Sequence, residues 1–212
     1  PSWEAAVNAS REILQGEFGR PAIFRISDPE ETDRGLKLYG MPSFVDPFLI
    51  RRGFKPMQRC LSLGNVEGDA DYTRLVARKI KAIARQHGAM SLGTYAAKKW
   101  EHTRYAEPYM REDLNDYGIL IDTLEAGVSW DNLHRLHQGV RAFVKSRPAT
   151  MCMTHASHFY PQGTNLYFIF IAKMDLGEYV PFQAGIIDAI VKHGGTLSHH
   201  HGVGRLLAVL LR

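Results

Sequence analysis

The second half of the chain carries a regular series of apolar segments that restricts the possible fold more than any other feature. Strand-like segments, rich in β-branched and aromatic residues, alternate with segments whose apolar residues recur at helical spacing. The series is strand 117–125, helix 130–145, strand 150–159, strand 165–173, helix 177–193 and strand 196–201. This order predicts a ferredoxin-like unit.

The first half repeats the order without an initial strand. The segments are helix 3–18, strand 21–27, strand 57–67, helix 68–87 and strand 89–96, with an insertion at 28–56. We therefore predict an α+β fold with a duplicated ferredoxin-like antiparallel sheet, helices packed on one face, and a first strand missing upstream of Pro1. The two halves, at about 1–96 and 117–204, would form one domain covering residues 1–212.

Composition and charge argue against several classes of protein. The net charge of +4 is small and scattered, so a nucleic-acid partner is not expected, whereas an anionic small molecule suits it. Cys60 and Cys152 indicate a reducing compartment rather than a disulfide framework. The longest apolar runs, such as 166–172, are too short to span a bilayer, and no signal peptide is visible. These features predict a cytoplasmic protein, and the abrupt start at Pro1 suggests a fragment.

Three consecutive histidines, His199, His200 and His201, lie between two glycine pairs near the end of the chain. The first glycine pair ends the preceding helix, because glycine readily adopts the left-handed conformation that terminates helices. If 196–201 is extended, His199 and His201 share one face and His200 points to the other. Gly202 allows the backbone to approach a ligand closely.

The histidine trio has several interpretations. It could be the end of a purification tag, a solvated turn, or a zinc site, since histidine is a common zinc ligand. Neighbouring side chains on a strand point apart, so three in a row cannot easily share one metal ion. We therefore predict no metal site. Histidine is also the natural proton carrier near neutral pH.

The stretch GGTLSHHHGVGRL resembles the histidine motif of the FAD-linked oxidases of the vanillyl-alcohol oxidase type, and most closely that of the alkyldihydroxyacetonephosphate synthases. The stretches PAIFRISD, YMREDLNDYGILIDTLE and THASHFYPQGTNLYFIF resemble further segments of these enzymes in the same order, so the similarity covers nearly the whole chain. It implies a C-terminal cap domain, built as a duplicated ferredoxin-like sheet, that follows an FAD-binding domain. No FAD-binding sequence is present here, so we expect the chain alone to hold FAD poorly and to be inactive.

The resemblance implies roles for individual residues. Tyr167 takes the position of the catalytic tyrosine. The histidine trio would handle protons and, together with Gly202, line the flavin. Arg25, Arg111 and Thr123 take positions of the substrate site.

These residue types suit the implied roles. Arginine offers a forked set of donors that fits a phosphate or carboxylate. A tyrosine near histidines and arginines can exchange protons if its pKa is lowered. Judged without the resemblance, Arg25 and Arg111 would be surface ion pairs, Tyr167 a core tyrosine and Thr123 a strand-surface hydroxyl.

The reaction implied by the resemblance exchanges an acyl for an alkyl group through a flavin adduct, without net oxidation. The substrate would be an anionic small molecule or phospholipid precursor. The implied partners are FAD and the FAD-binding domain of the same protein, and a homodimer is compatible with both.

Two other functions remain open. The first is an FAD-dependent dehydrogenase or oxidase of a 2-hydroxy acid, such as D-lactate or glycolate. Such enzymes often carry GHxGDGNxHx, whose two histidines can bind a metal; here His158 remains, but Tyr167 occupies the second position. The second is a non-catalytic ferredoxin-like binding module. The synthase pattern is also broken after Arg205, where the usual second basic residue is missing.

Overall fold

A computed structural model describes residues 1–38, 40–103, 105, 109–202 and 204. Five strands, in antiparallel pairings, and eight helices occur within these residues, so the predicted α+β class is confirmed. The elements are α1 (Trp3–Gln15), β1 (Ile23–Ser27), α2 (Pro29–Leu38), α3 (Val45–Arg51), β2 (Leu61–Asn65), α4 (Ala70–Gln86), α5 (Tyr95–Thr103), α6 (Met110–Asn115), β3 (Ile119–Ser129), α7 (Leu133–Ser146), β4 (Met151–Ser157), β5 (Gly163–Lys173) and α8 (Leu176–Lys192).

The first of two compact units comprises residues 1–103 and 155–161. Its central strand is β1, which pairs antiparallel with β2 on one side and with the end of β4 on the other. In the second pairing Ser27 lies opposite His155. The helices α1 and α4 pack together, and Val7, Ile13 and Val76 are buried.

The helix starts follow from residues that can accept the unpaired N–H groups of a first turn. The hydroxyl of Ser2 accepts from the amide of Ala5 at the start of α1. At α4, the carboxylate of Asp69 accepts from the amides of Asp71 and Tyr72. Such caps locate helix starts that apolar periodicity alone leaves uncertain by several residues.

The second unit comprises residues 104–154 and 162–212. Here β5 lies between β4 and β3, and its pairing with β3 runs from Lys173 opposite Ile119 to Gly163 opposite Ser129. Most of β5 is buried, which explains its nearly continuous apolar sequence. The helices α7 and α8 pack against each other. Within the described residues, no helix combines the length and apolar character needed to cross a bilayer.

Two predicted strands are wrong. Residues 89–92 have no regular structure, residues 93–94 form a turn, and α5 begins at Tyr95. Gly93 has φ +75°, which interrupts an extended chain. Residues 196–201 form bends rather than a strand. The alternating pattern of this segment is too short to determine its conformation. The backbone N–H groups of His199, His200 and His201 donate to a side chain instead of a neighbouring strand.

The close pairing of β3 and β5 at Gly163 allows a test of this register. A Cβ atom added to Gly163 would collide with the carbonyl oxygen of Val128 and lie 2.9 Å from Cα of Ser129. Because both are backbone atoms, the strands would have to separate. We expect Gly163→Ala to lower the free energy of unfolding by about 1–3 kcal/mol in chemical denaturation.

The matched control is Gly177→Ala, at an exposed position in the first turn of α8. Its added Cβ would have Asp175 Oδ1 as nearest neighbour, at 3.2 Å. Alanine also favours helix over glycine, so the stability should be unchanged or higher. Equal stabilities of the two variants would contradict the described register.

Candidate functional site

The segment after α8 is fastened to β3 before it reaches the histidines. The backbone N–H of Thr196 donates to the carbonyl of Gly127 at 2.9 Å, and the N–H of Gly127 donates to the Thr196 hydroxyl at 2.9 Å. A Cβ on Gly127 would lie 2.7 Å from that hydroxyl oxygen, so glycine permits the close approach. The side-chain amide of Asn132 donates to the carbonyls of His193 and Gly194. The start of the histidine segment is therefore held at β3.

A buried carboxylate, that of Glu125 on β3, holds the histidine loop (residues 198–201). Its Oε1 accepts from the backbone amides of His199, His200 and His201 at 2.8, 2.8 and 2.7 Å, and from the Ser198 hydroxyl at 3.2 Å. One side chain therefore satisfies three successive backbone donors. This arrangement explains why the loop is bent and not paired as a strand.

Glu125 is ionised when it holds the loop. Burial by itself would raise the pKa, but hydrogen bonds from the backbone N–H groups of His201, His199 and His200 outweigh it and lower the pKa to about 2. The second oxygen, Oε2, accepts from the side-chain amide of Asn165 at 3.2 Å. The carboxylate is thus fixed through both of its oxygens.

The bent loop gathers imidazoles that a strand would separate. Nδ1 of His199 lies 3.1 Å from Nδ1 of His200, which in turn lies 3.1 Å from Oε2 of Glu125. The ring centroids of His200 and His201 are 4.5 Å apart. The three side chains are exposed, so they can exchange protons with a ligand or with water. The expected separation of His200 from the other two is wrong, because it assumed an extended chain.

Tyr167 joins this cluster from β5. It lies directly opposite Glu125 in the β3–β5 pairing and is buried. Its ring centroid is 5.5 Å from that of His201 and 6.1 Å from that of His200. Thr123 precedes Glu125 by two residues on β3, is exposed, and shares its side of the strand. The structure therefore brings Tyr167, the trio and Thr123 to one face.

Arg111 is associated with the other face of β3. It is exposed on α6, and its charge acts on the phenol of Tyr179. That phenol donates to Oδ2 of Asp122 at 2.5 Å, and burial together with this carboxylate raises the pKa of Tyr179. Asp122 and Glu125 point to opposite sides of the strand. Among the described residues, the charge of Arg111 thus acts on Tyr179 and not on the trio.

Arg25 belongs to the first unit, and Gly202 follows the histidine loop. Nη2 of Arg25 donates to Oε1 of Glu31 at 2.7 Å, so the residue is part of a partly buried ion pair. Gly202 has φ +78°, and a Cβ built on it would meet no described atom within 4 Å. No described residue therefore occupies the space beside Gly202.

Three groups of the cluster are of types that bind metal ions. Ligand atoms of Glu125, His199 and His200 all lie within 4.8 Å of one another. The argument that adjacent histidines point apart fails for this bend. However, Glu125 already accepts three backbone N–H groups, which reduces its capacity as a ligand. We therefore interpret the cluster as positioned proton carriers, and the absence of a metal site stays a prediction.

Sequence reasoning missed Glu125 and Asn165. Both signals were visible: a glutamate within the apolar segment Leu124–Ala126, and an asparagine at the start of the apolar run 165–173. A polar residue inside a buried strand requires a partner. The identity of that partner depends on the path of the chain some 70 residues later, which periodicity does not reveal.

The clamp at Glu125 predicts a stability loss that depends on pH. In Glu125→Gln the neutral amide is a weaker acceptor for three backbone N–H groups, so we expect a loss of about 1–3 kcal/mol at pH 7. The folded-state pKa lies below the ordinary value of 4.5, so the stabilisation is present above about pH 4.5 and is lost as the pH falls toward 2. The difference between the proteins should shrink over this range in thermal unfolding.

An exposed glutamate provides the comparison. Glu112→Gln on α6 should change the melting temperature little at any pH, since Glu112 is exposed. A pH-independent loss in Glu125→Gln would contradict the role of the ionised carboxylate.

Comparisons with known proteins identify the family of this chain. Residues 1–211 match the family described as FAD linked oxidases, C-terminal domain. The chain is 33% identical to alkyldihydroxyacetonephosphate synthase of Dictyostelium discoideum over 96% of its own length and 36% of the relative. It is 28% identical to an uncharacterized FAD-linked oxidoreductase, YgcU, of Escherichia coli, covering 93% of the chain and 41% of the relative.

A solved structure supports the same relationship. A crystal structure of alkyldihydroxyacetonephosphate synthase superposes with a TM-score of 0.80 at 29% identity, over 93% of this chain and 38% of that one. The chain thus spans little more than a third of the length of these proteins. The match over residues 1–211 shows that the chain belongs to the C-terminal domain family of the FAD-linked oxidases.

Proposed function

We propose that residues 1–212 are the substrate-binding cap domain of an FAD-dependent enzyme that acts like alkyldihydroxyacetonephosphate synthase and exchanges an acyl for an alkyl group. Its two ferredoxin-like halves would be about 1–96 and 117–204. The observation that carries the proposal is the convergence of Tyr167 and the histidine trio beside Glu125. Such a set can bind an anionic, planar cofactor edge and move protons.

The residues present fit a flavin. The exposed imidazoles of the trio offer donors and aromatic surfaces, and none of the described residues fills the space beside Gly202. The rest of the flavin site would come from the FAD-binding domain of the same protein. When bound, the flavin supplies an electrophilic centre that can hold a substrate carbon during the exchange. We therefore expect the isolated chain to bind FAD poorly and to be inactive.

The proton chemistry falls to residues of this chain. An imidazole of the trio accepts a proton from the substrate, and Tyr167 donates to or accepts from an oxygen close to the reacting carbon. Glu125 keeps the three histidine backbones in place through these steps. Because Tyr167 is buried and the imidazoles are exposed, a ligand that covers the imidazoles would exclude water from them.

The substrate is proposed to be anionic, as a phosphate-bearing lipid precursor would be. Arg25, Arg111 and Thr123 are its proposed contacts, and the two arginines carry permanent charge. Thr123 shares a face with Tyr167, which favours it as a hydrogen-bonding contact near the reacting atoms.

A relative described as an uncharacterized FAD-linked oxidoreductase favours oxidoreductase chemistry as the second candidate. Its proposed substrate is a 2-hydroxy acid. Tyr167 in place of a metal-binding histidine argues against the metal-dependent members of that class. A binding module without catalysis is the third candidate, and it would leave the buried phenol beside the trio without a chemical purpose.

A spectroscopic experiment on the full-length flavin-loaded protein separates these candidates. Under anaerobic conditions, acyl-dihydroxyacetonephosphate should change the flavin spectrum and release fatty acid, and fatty alcohol should restore the oxidised spectrum. Lasting bleaching by D-lactate or glycolate would show a dehydrogenase instead. No response to either substrate class would reject both the acyl–alkyl exchange and the 2-hydroxy-acid oxidation for these substrates. Prior treatment with EDTA should leave the rate unchanged.

Tyr167→Phe tests the proposed proton carrier. Removing the hydroxyl should lower kcat by about 10²–10⁴-fold, the range of general acid–base contributions, while the flavin remains bound. Tyr117→Phe, at an exposed position, is the control and should keep full activity. An unchanged kcat in Tyr167→Phe would eliminate the phenol from the mechanism.

A further inference from the structure

Arg25 is held by a buried carboxylate that also contacts a buried histidine, and the pairing of β1 with β4 places all three groups together. Ser27 lies opposite His155, so Arg25, two residues before Ser27, is on the same face as His155. Glu31 enters from the first turn of α2 and reaches both side chains. Its Oε1 lies 2.7 Å from Nη2 of Arg25 and 2.9 Å from Nδ1 of His155.

The turn between β1 and α2 fixes the backbone of Glu31. The amide of Glu31 donates to Oδ1 of Asp28 at 2.8 Å, and the hydroxyl of Thr32 donates to the carbonyl of Ser27 at 3.1 Å. The same hydroxyl accepts from the amide of Leu61 on β2 at 2.9 Å. The carboxylate therefore projects from a turn that is attached to two strands.

The charges of the three groups can be assigned. Burial opposes ionisation of Glu31, but the contacts with His155 and Arg25 outweigh it and lower its pKa to about 2. Burial lowers the pKa of His155. At neutral pH, His155 is then uncharged and donates its Nδ1–H to Glu31, and Arg25 is the cation that balances the carboxylate.

A second buried ion pair in the same unit shows what a purely structural arginine looks like. Arg59 has a side-chain exposure of 6%, and all of its nitrogens are used: Nε donates to Asp33 at 3.1 Å, Nη1 to the carbonyl of Phe54 at 3.3 Å, and Nη2 to Asp46. Such a guanidinium has little capacity for another ligand.

Arg25 differs from Arg59 both in its exposure and in the number of its nitrogens that are hydrogen-bonded. Its side chain is 25% exposed, although that of Glu31 is only 8% exposed. Glu31 is the one hydrogen-bond partner of the guanidinium among the described residues, and it uses Nη2 alone. An arginine carries five N–H donors, so the other four have no hydrogen-bond partner among the described residues. The carboxylate therefore binds one nitrogen of a partly exposed guanidinium and leaves donors for an anion.

We propose that Glu31 and His155 are positioning residues that hold Arg25 with its remaining N–H groups directed at the anionic group of the substrate. This inference rests on the proposed function in requiring that the substrate be an anion and that Arg25 contact it. Glu31 binds Nη2 of Arg25, and His155, which lies on the neighbouring strand β4, binds Glu31. Neither residue needs to touch the ligand.

The alternative, that Glu31 merely neutralises Arg25, predicts the opposite effect on anion binding. If the carboxylate only reduces the positive charge, Glu31→Gln should bind phosphate more tightly, because a repulsive charge is removed. If it positions the guanidinium, the same variant should bind phosphate more weakly, by about tenfold or more. The sign of the change therefore distinguishes the two roles.

The experiment titrates the full-length flavin-loaded protein with inorganic phosphate at pH 7 and follows binding by phosphorus NMR. Arg25→Gln and Glu31→Gln should each weaken binding, and the double variant should be no weaker than Arg25→Gln alone, since Glu31 acts through Arg25. His155→Asn keeps a donor near the Nδ1 position and should retain binding, whereas His155→Ala should lose it.

The control variant is Asp33→Asn, which breaks the other buried pair of this unit. It should lower the melting temperature without changing phosphate affinity, so it separates loss of stability from loss of positioning. Unchanged or tighter binding in Glu31→Gln would overturn the inference, as would an absence of phosphate binding by the unmodified protein. Turnover of acyl-dihydroxyacetonephosphate is measured separately, so failure of the proposed reaction remains distinguishable from failure of this inference.

Discussion

The carboxylate of Glu125 is the contact on which the candidate site depends. The backbone N–H groups of His199, His200 and His201 follow α8 and belong to no helix or strand, so each needs another acceptor. One oxygen of Glu125 accepts all three, at 2.7–2.8 Å. The carboxylate can do so because it is fixed to β3 and held at its other oxygen by Asn165. The position of the three imidazoles is thus set by a residue that precedes them by more than 70 positions.

Two buried carboxylates in this chain are ionised for different reasons, and the difference determines what each one fixes. Glu125 is stabilised by backbone N–H groups, so it determines the path of a loop. Glu31 is stabilised by His155 and Arg25, so it determines the orientation of a side chain. Both have a pKa of about 2, which means that neither is available as a proton carrier at neutral pH. The proposed proton transfer therefore falls to the histidine trio and Tyr167, which lie beside Glu125.

The parts of the fold that bury apolar residues were predictable from periodicity and helix caps. The strands β3 and β5 and the helices α7 and α8 lie close to their expected positions. The extended run expected at 196–201 failed because its backbone partner is a distant side chain, which no local pattern reveals. Tyr167 and the trio were found through resemblance, whereas Glu125 was missed because it was treated as one residue of an apolar strand.

The bend at the trio also explains how consecutive histidines can act together. On a strand, the ring of His200 would point away from those of its neighbours, and only alternate residues could reach one ligand. In the bend, the Nδ1 atoms of His199 and His200 are 3.1 Å apart, and Tyr167 faces His201 from a strand in register with Glu125. The backbone atoms are fixed while the rings remain exposed. This combination suits proton transfer, because the geometry is preorganised and the protons can still be exchanged with a ligand.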